Sequence, residues 1–176
     1  MYAVNPADEL QRMFRGMVEQ TFIAEVGICA PELTDYVAGM LLDFLHVDQI
    51  FRIRDVDGAV IRDISRLQAE AHLGHAVPPA IRERLINRYI GDFALFWTGL
   101  YPETLRARLH FGVDRLREYV LQGQRGYEIA SGLSGHDDQP PPTLLHELST
   151  HFETCVWGLH LVRADWDRLC RGPREN

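Results

Sequence analysis

The residue with the clearest chemical potential is Asp92, the only charged residue between Tyr89 and Pro102. The apolar pattern around it predicts a buried helix, and a carboxylate is rarely buried without a partner. Arg88 precedes it by one helical turn and can pair with it directly. Tyr89 or a neighbouring helix could also donate a hydrogen bond. Two interpretations follow: a structural anchor, or a carboxylate with a raised pKa at the wall of a pocket.

A second set of residues has the types and spacings of metal ligands. Asp43 and His46 stand three residues apart on a predicted helix, and Glu147 and His151 stand four apart. Helical metal proteins use such pairs on facing helices, most often as Glu-x-x-His, a motif this chain lacks. A transition-metal site would have Asp43 and His46 as its nucleus, completed from Asp92, His72, Glu147 and His151. We expect instead that Asp43 faces water or bonds to His46.

Several chemistries are excluded by residues the chain does not contain. All 18 basic residues are arginine. Without lysine there is no Schiff-base chemistry and no Walker-type phosphate loop. There is no Gly-x-Ser-x-Gly elbow. Cys29, Cys155 and Cys170 have no metal-binding or disulfide spacing, so we expect structural roles for them. The net charge of -7 argues against nucleic-acid binding through phosphate neutralisation.

Helical signals extend along almost the whole chain. Apolar residues recur at helical spacing, and prolines stand where helices begin. Predicted helices cover residues 6–26, 31–52, 63–72, 79–101, 103–110, 113–133 and 143–170, while residues 50–62 could instead form a short hairpin. We therefore predict an all-α, bundle-like single domain of six or seven helices with a long C-terminal helix. Residues 1–134 would form the core domain and 135–142 a linker. The helix at 143–176 would dock on the core or on a second subunit.

An apolar stripe in the last helix predicts an assembly surface. Its residues alternate at four- and three-residue spacings, the pattern of a helix that packs on other helices. The candidate interface residues are Leu144, Leu148, Phe152, Leu159, Val162 and Trp166.

Small residues form two further stripes, which include Gly91 and Gly99 in one helix and Gly123 and Gly126 in another. Each glycine inside a helix costs about 1 kcal/mol relative to alanine. That cost favours close helix packing, with a flat ligand such as a tetrapyrrole between the helices as the alternative.

The central segment resembles a group of bacterial helical proteins that have no assigned activity. The resemblance covers about forty residues and rests on a Gly-Asp-x-x-Leu-Phe-x-x-Gly segment followed by a tyrosine-containing helix. The matching residues are Gly91, Asp92, Leu95, Phe96, Gly99, Pro102, Glu103, Tyr119, Gly123 and Tyr127. The resemblance implies a helical fold and no particular chemistry.

The sequence favours a non-enzymatic interaction or regulatory protein that acts through apolar helix faces, as a homo-oligomer or with another protein. No cofactor is expected in this interpretation. The alternative is a metal- or cofactor-binding helical protein with redox or oxygen chemistry, so enzymatic activity stays open. The longest uncharged apolar run, Phe93 to Pro102, has ten residues, about half of what spans a bilayer. No signal-peptide pattern is present, so we expect a cytoplasmic protein.

Overall fold

The computed structural model describes residues 6–45, 78–106, 114–133 and 139–172, and every regular element in these ranges is helical. The predicted all-α fold is confirmed. The elements are α1 (Pro6–Thr21), a π-helical turn (Phe22–Val26), α2 (Pro31–Leu45), α3 (Pro79–Leu100), α4 (Pro102–Arg106), α5 (Arg115–Ser131), α6 (Pro142–Thr150) and α7 (Phe152–Arg171). The end of the predicted helix at 31–52, the possible hairpin at 50–62 and the predicted helix at 63–72 lie outside the described ranges. None of the described helices is long and apolar enough to cross a membrane.

Helix α3 is the centre of the core. Thirteen of its 22 residues are buried, so it is covered on most of its circumference. From Tyr89 onward α3 carries no charged residue except Asp92, and a helical segment that is apolar around its whole surface is stable only inside a protein. Prolines at its start and immediately after its end delimit it, as the sequence predicted.

Helices α3 and α5 pack against each other in antiparallel orientation and very closely. A Cβ atom at Gly126 would lie 2.6 Å from the backbone oxygen of Asn87. A Cβ atom at Gly91 would lie 2.5 Å from the ring of Tyr127. Both distances are shorter than real Cβ contacts, so these positions require glycine. The conformational cost of the two glycines is offset by packing that a larger residue would prevent.

A buried arginine stabilises the end of α5. Arg84 on α3 is 4% exposed, and its guanidinium donates hydrogen bonds to the backbone oxygens of Ala130 (2.8 Å), Leu133 (3.3 Å) and Pro140 (2.5 Å). The last carbonyls of a helix have no partner within the helix and carry partial negative charge. Arg84 therefore both caps α5 and holds the start of the α6 segment against α3.

The predicted single C-terminal helix is two helices, α6 and α7, with a break at His151. The hydroxyl of Thr150 donates to the backbone oxygen of His146, a bond of the kind that bends helices. On the other side of the break, Phe152 is fully buried and its ring contacts Gly123 of α5. The bend lets both helices follow the curved surface of the core.

Candidate functional site

Asp92 is the centre of a buried polar cluster that joins three helices. It is 2% exposed. Its Oδ1 atom accepts hydrogen bonds from the hydroxyls of Tyr36 on α2 (2.6 Å) and Tyr127 on α5 (2.8 Å). Arg88 lies one turn earlier on α3, with its Nε atom 3.8 Å from Oδ2 of Asp92. The predicted burial of Asp92 and its pairing with Arg88 are confirmed.

The hydroxyl of Tyr36 connects both ionic groups of the cluster. It donates to Asp92 and accepts a hydrogen bond from Nε of Arg88 at 2.9 Å. Burial and the neighbouring Asp92 raise the pKa of Tyr36 and of Tyr127 well above the usual value for tyrosine. Burial alone would lower the pKa of Arg88, but Tyr36 and Asp92 outweigh it and raise the pKa. Both tyrosines therefore keep their protons, and Arg88 stays charged.

The tyrosines on Asp92 were found only in the structure. The sequence suggested Tyr89, whose ring lies in the aromatic core beside Phe44 and Phe93. Tyr36 and Tyr127 are 56 and 35 residues from Asp92 in the chain. Tyr127 belongs to the segment that carries the family resemblance, whereas no local pattern marks Tyr36. The cluster has the geometry of an anchor that fixes α2, α3 and α5 relative to one another.

The candidate metal ligands are not brought together within the described residues. Asp43 is exposed on α2, as expected, while Glu147 and His151 are exposed on α6 and at the α6–α7 break. His46 and His72 lie outside the described ranges. In the part of the chain that the structure describes, no three His, Cys, Asp or Glu side chains are placed to hold a metal ion.

The space beside the helix glycines is filled by side chains. Gly91 faces the ring of Tyr127, Gly99 faces Leu159 and Gly123 faces Phe152. At each of the three positions an added Cβ atom would meet a neighbouring atom at less than 3 Å. A tetrapyrrole would not fit beside these glycines without displacing the side chains, so the stripes serve helix packing.

The apolar stripe of the last segment contributes to the core of this chain, which corrects its predicted role as a surface. Five of the six residues are at most 6% exposed because α6 and α7 pack on the other helices: Leu144, Leu148, Phe152, Leu159 and Val162. Buried side chains cannot contact a second subunit. Trp166 differs, because it is half-buried and its ring stacks on that of Phe14 at 4.9 Å.

An apolar groove opens where α1, α2, α7 and the end of α3 meet, with a cavity of about 430 Å³. Buried apolar side chains line it, together with the stacked pair Phe14 and Trp166. Leu10 lies at its edge with 41% of its surface exposed. The lining residues are Leu10, Phe14, Leu41, Leu100, Tyr101, Val162, Arg163, Trp166 and Asp167. We call this cavity and its lining the α1–α7 groove.

Two lining residues of the α1–α7 groove, Arg163 and Asp167, form an ion-pair cluster with Glu103 of α4, close to the end of α3. Arg163 donates to Oε1 of Glu103 at 2.6 Å and to the backbone oxygen of Leu100. Its Nε atom lies 3.8 Å from Oδ2 of Asp167, and its guanidinium lies over the ring of Tyr101. Burial raises the pKa of Glu103, but the hydrogen bonds from Arg163 and from the Glu103 backbone, together with the nearby charges of Arg163 and His160, outweigh it and lower the pKa.

Of the groove residues, Val162 and Trp166 were candidate interface residues in the sequence. The others come from four separate segments, and no periodic pattern relates them. Most of the apolar lining residues are buried, such as Phe14, Leu41 and Val162, whereas Leu10 is 41% exposed.

Comparison of the chain with protein-family models, with curated proteins and with solved structures found no match.

Proposed function

We propose that the protein is a non-enzymatic helical interaction protein that binds its partner in the α1–α7 groove. The observation that supports this most directly is the groove itself. It combines a cavity of about 430 Å³, mostly apolar walls and an exposed leucine at the edge. Binding sites are typically concave, largely apolar and supplied with a few polar groups that orient the bound molecule.

The surface beside the groove supports the same proposal. Met13 on α1 and Leu169 on α7 are 38% and 62% exposed, and they line a second, shallower groove between the same two helices. Single exposed apolar residues are ordinary, but apolar residues grouped along one helix pair are typical of contact surfaces. Trp166, stacked on Phe14 between the helices, is of the residue type most enriched in binding hot spots.

The buried cluster around Asp92 offers less support for a catalytic role. Its Oδ1 atom receives two tyrosine hydroxyls, and Tyr36 is occupied as both donor and acceptor. Reaching Oδ1 would require a substrate to break contacts that hold three helices together. We therefore assign the cluster to fold stability and the binding role to the α1–α7 groove.

Site-specific photocrosslinking tests this function. A photoreactive amino acid replaces Leu10 in the full chain, and a matched variant carries it at Leu85, which is 53% exposed on α3 and does not line the groove. Both variants are illuminated in the cells that produce the chain. We expect a discrete adduct from position 10, none from position 85, and loss of the adduct when Trp166→Ala is added.

Two results would overturn the proposal. Equal adducts from both positions would show that the groove has no special binding role. A transition metal or a coloured cofactor present in stoichiometric amount, measured by elemental analysis and an absorbance scan, would favour the cofactor-binding alternative. Circular dichroism of each variant confirms that it is folded before its result is interpreted.

A further inference from the structure

The charges at the edge of the α1–α7 groove are unbalanced. Arg163 is the one basic residue among the lining residues that the structure describes, and it is shared between two carboxylates, Glu103 and Asp167. Asp167 lines the groove, whereas Glu103 lies beside it on α4, and with Arg163 these three groups carry an excess of one negative charge. The side chains of Glu103 and Asp167 are 56% and 42% exposed, so both carboxylates remain accessible to a bound molecule.

Arg163 itself is poorly placed to attract an acidic ligand. Its guanidinium is held by Glu103 and by the backbone oxygen of Leu100, and it covers the ring of Tyr101. An incoming carboxylate would compete with these contacts and meet two carboxylates beside them. A basic group would instead meet one guanidinium and two carboxylates, so the cluster as a whole attracts it, and the net charge of -7 favours its approach from a distance.

The size of the cavity indicates more than one apolar group in the occupant. A cavity of about 150 Å³ holds one benzene molecule. The α1–α7 groove, at about 430 Å³, has room for two or more groups of that size. Helices that bind in apolar grooves insert side chains spaced three, four and seven residues apart. An amphipathic helix with two or more apolar anchors therefore matches the volume of the cavity.

We infer that the α1–α7 groove receives an amphipathic helical segment of a partner protein whose apolar residues are flanked by Lys or Arg. The inference rests on the proposed function and adds the chemistry of the partner. Apolar anchors would fill the cavity against Phe14 and Trp166, while the basic residues would face Glu103 and Asp167. A second copy of this chain is a poorer occupant, because two molecules that each carry a charge of -7 repel one another.

Peptide titration against the full chain tests the inference. The probe is a labelled helical peptide of about 16 residues with leucines at the three-, four- and seven-residue spacings and lysines beside them. A matched peptide has glutamates in place of the lysines. Fluorescence anisotropy measures both. We expect the basic peptide to bind at least tenfold more tightly than the acidic one, with the difference shrinking at high salt.

Protein variants locate the binding in the groove. Leu10→Ser should weaken binding of the basic peptide severalfold, whereas Leu85→Ser, at a more exposed leucine outside the groove, should leave it unchanged. The double variant Glu103→Gln/Asp167→Asn should lower the affinity for the basic peptide by about fivefold and leave the acidic peptide unaffected. All four positions are exposed or half-buried, so the variants are expected to fold.

Four results would overturn the inference. One is equal binding of the two peptides, and another is equal loss of binding from Leu10→Ser and Leu85→Ser. The third is sedimentation showing that the chain forms a dimer which Leu10→Ser separates, because the occupant would then be a second copy. The fourth is that neither peptide binds while position 10 still yields a photocrosslinked partner. In the last two cases the proposed function stands and the inferred class of partner is wrong.

Discussion

Replacing Asp92 with alanine should destabilise the protein by about 2–4 kcal/mol. The change removes the acceptor of two tyrosine hydroxyls. Tyr127 is completely buried, and leaving its hydroxyl unpaired costs about 1–3 kcal/mol. Tyr36 keeps its hydrogen bond from Arg88 and loses only its own donation, a smaller cost of about 1 kcal/mol. For a domain of 176 residues, the sum corresponds to a fall in melting temperature of about 5–15 °C.

Urea unfolding of four proteins measures this effect and isolates its cause. The set is the unchanged chain, Asp92→Ala, Tyr127→Phe and the double variant. In the unchanged chain, Tyr127→Phe removes a hydrogen bond to a carboxylate and should cost about 1.5–3 kcal/mol. In the Asp92→Ala background the buried hydroxyl has no acceptor and is itself destabilising, so the same substitution should be neutral or restore up to about 1–3 kcal/mol. The cycle then reports a coupling of at least about 1.5 kcal/mol.

The control is Asp43→Ala, which removes an exposed carboxylate from α2 and should stay within about 0.5 kcal/mol of the unchanged chain. If Asp92→Ala is equally harmless, the cluster is not a structural anchor. If the effects of Asp92→Ala and Tyr127→Phe simply add, the hydrogen bond between the two residues does not contribute to stability.

Three further predictions concern other parts of the fold. Because burial and a neighbouring carboxylate raise the pKa of Tyr36 and Tyr127, the unfolded chain loses these protons first, and the stability they contribute, complete below about pH 10, should fall above it by up to about 2.7 kcal/mol per pH unit in urea titrations. Burial also raises the pKa of Cys155 to about 12, which adds a fall that begins about one pH unit lower, and only the tyrosine part should disappear in Tyr36→Phe/Tyr127→Phe. Gly126→Ala should lower the free energy of unfolding by about 3 kcal/mol. The control Gly16→Ala should raise it by about 0.5–1 kcal/mol, because a Cβ atom there meets nothing within 4 Å. Equal effects of the two substitutions would contradict the close helix packing. Arg84→Lys should lower the free energy of unfolding by about 3 kcal/mol, because a compact ammonium group cannot replace the planar guanidinium that reaches three carbonyl oxygens at once. An unchanged melting temperature would show that the cap is dispensable.

The local sequence determined where the helices lie. Proline at the first position of α2, α3 and α6, and Gly27 with φ of 81° after the π-helical turn, act on their own segments and need no tertiary context. The burial of Asp92 was predictable for the same reason. From Tyr89 onward its helix has no polar face that could turn toward water, so the carboxylate is buried together with the apolar residues around it. The pairing with Arg88 follows from helical spacing alone.

Tertiary structure decided which distant residues meet. Tyr36 and Tyr127 reach Asp92 only because α2 and α5 both pack against α3 beside it, and no spacing in the chain encodes that contact. The apolar stripe of α6 and α7 shows the same limit. Periodicity identified a face that must be buried, but a face of this kind looks identical whether it packs on its own chain or on another. The α1–α7 groove arises where four segments meet, so its depth, its lining and its excess negative charge exist only in the folded protein.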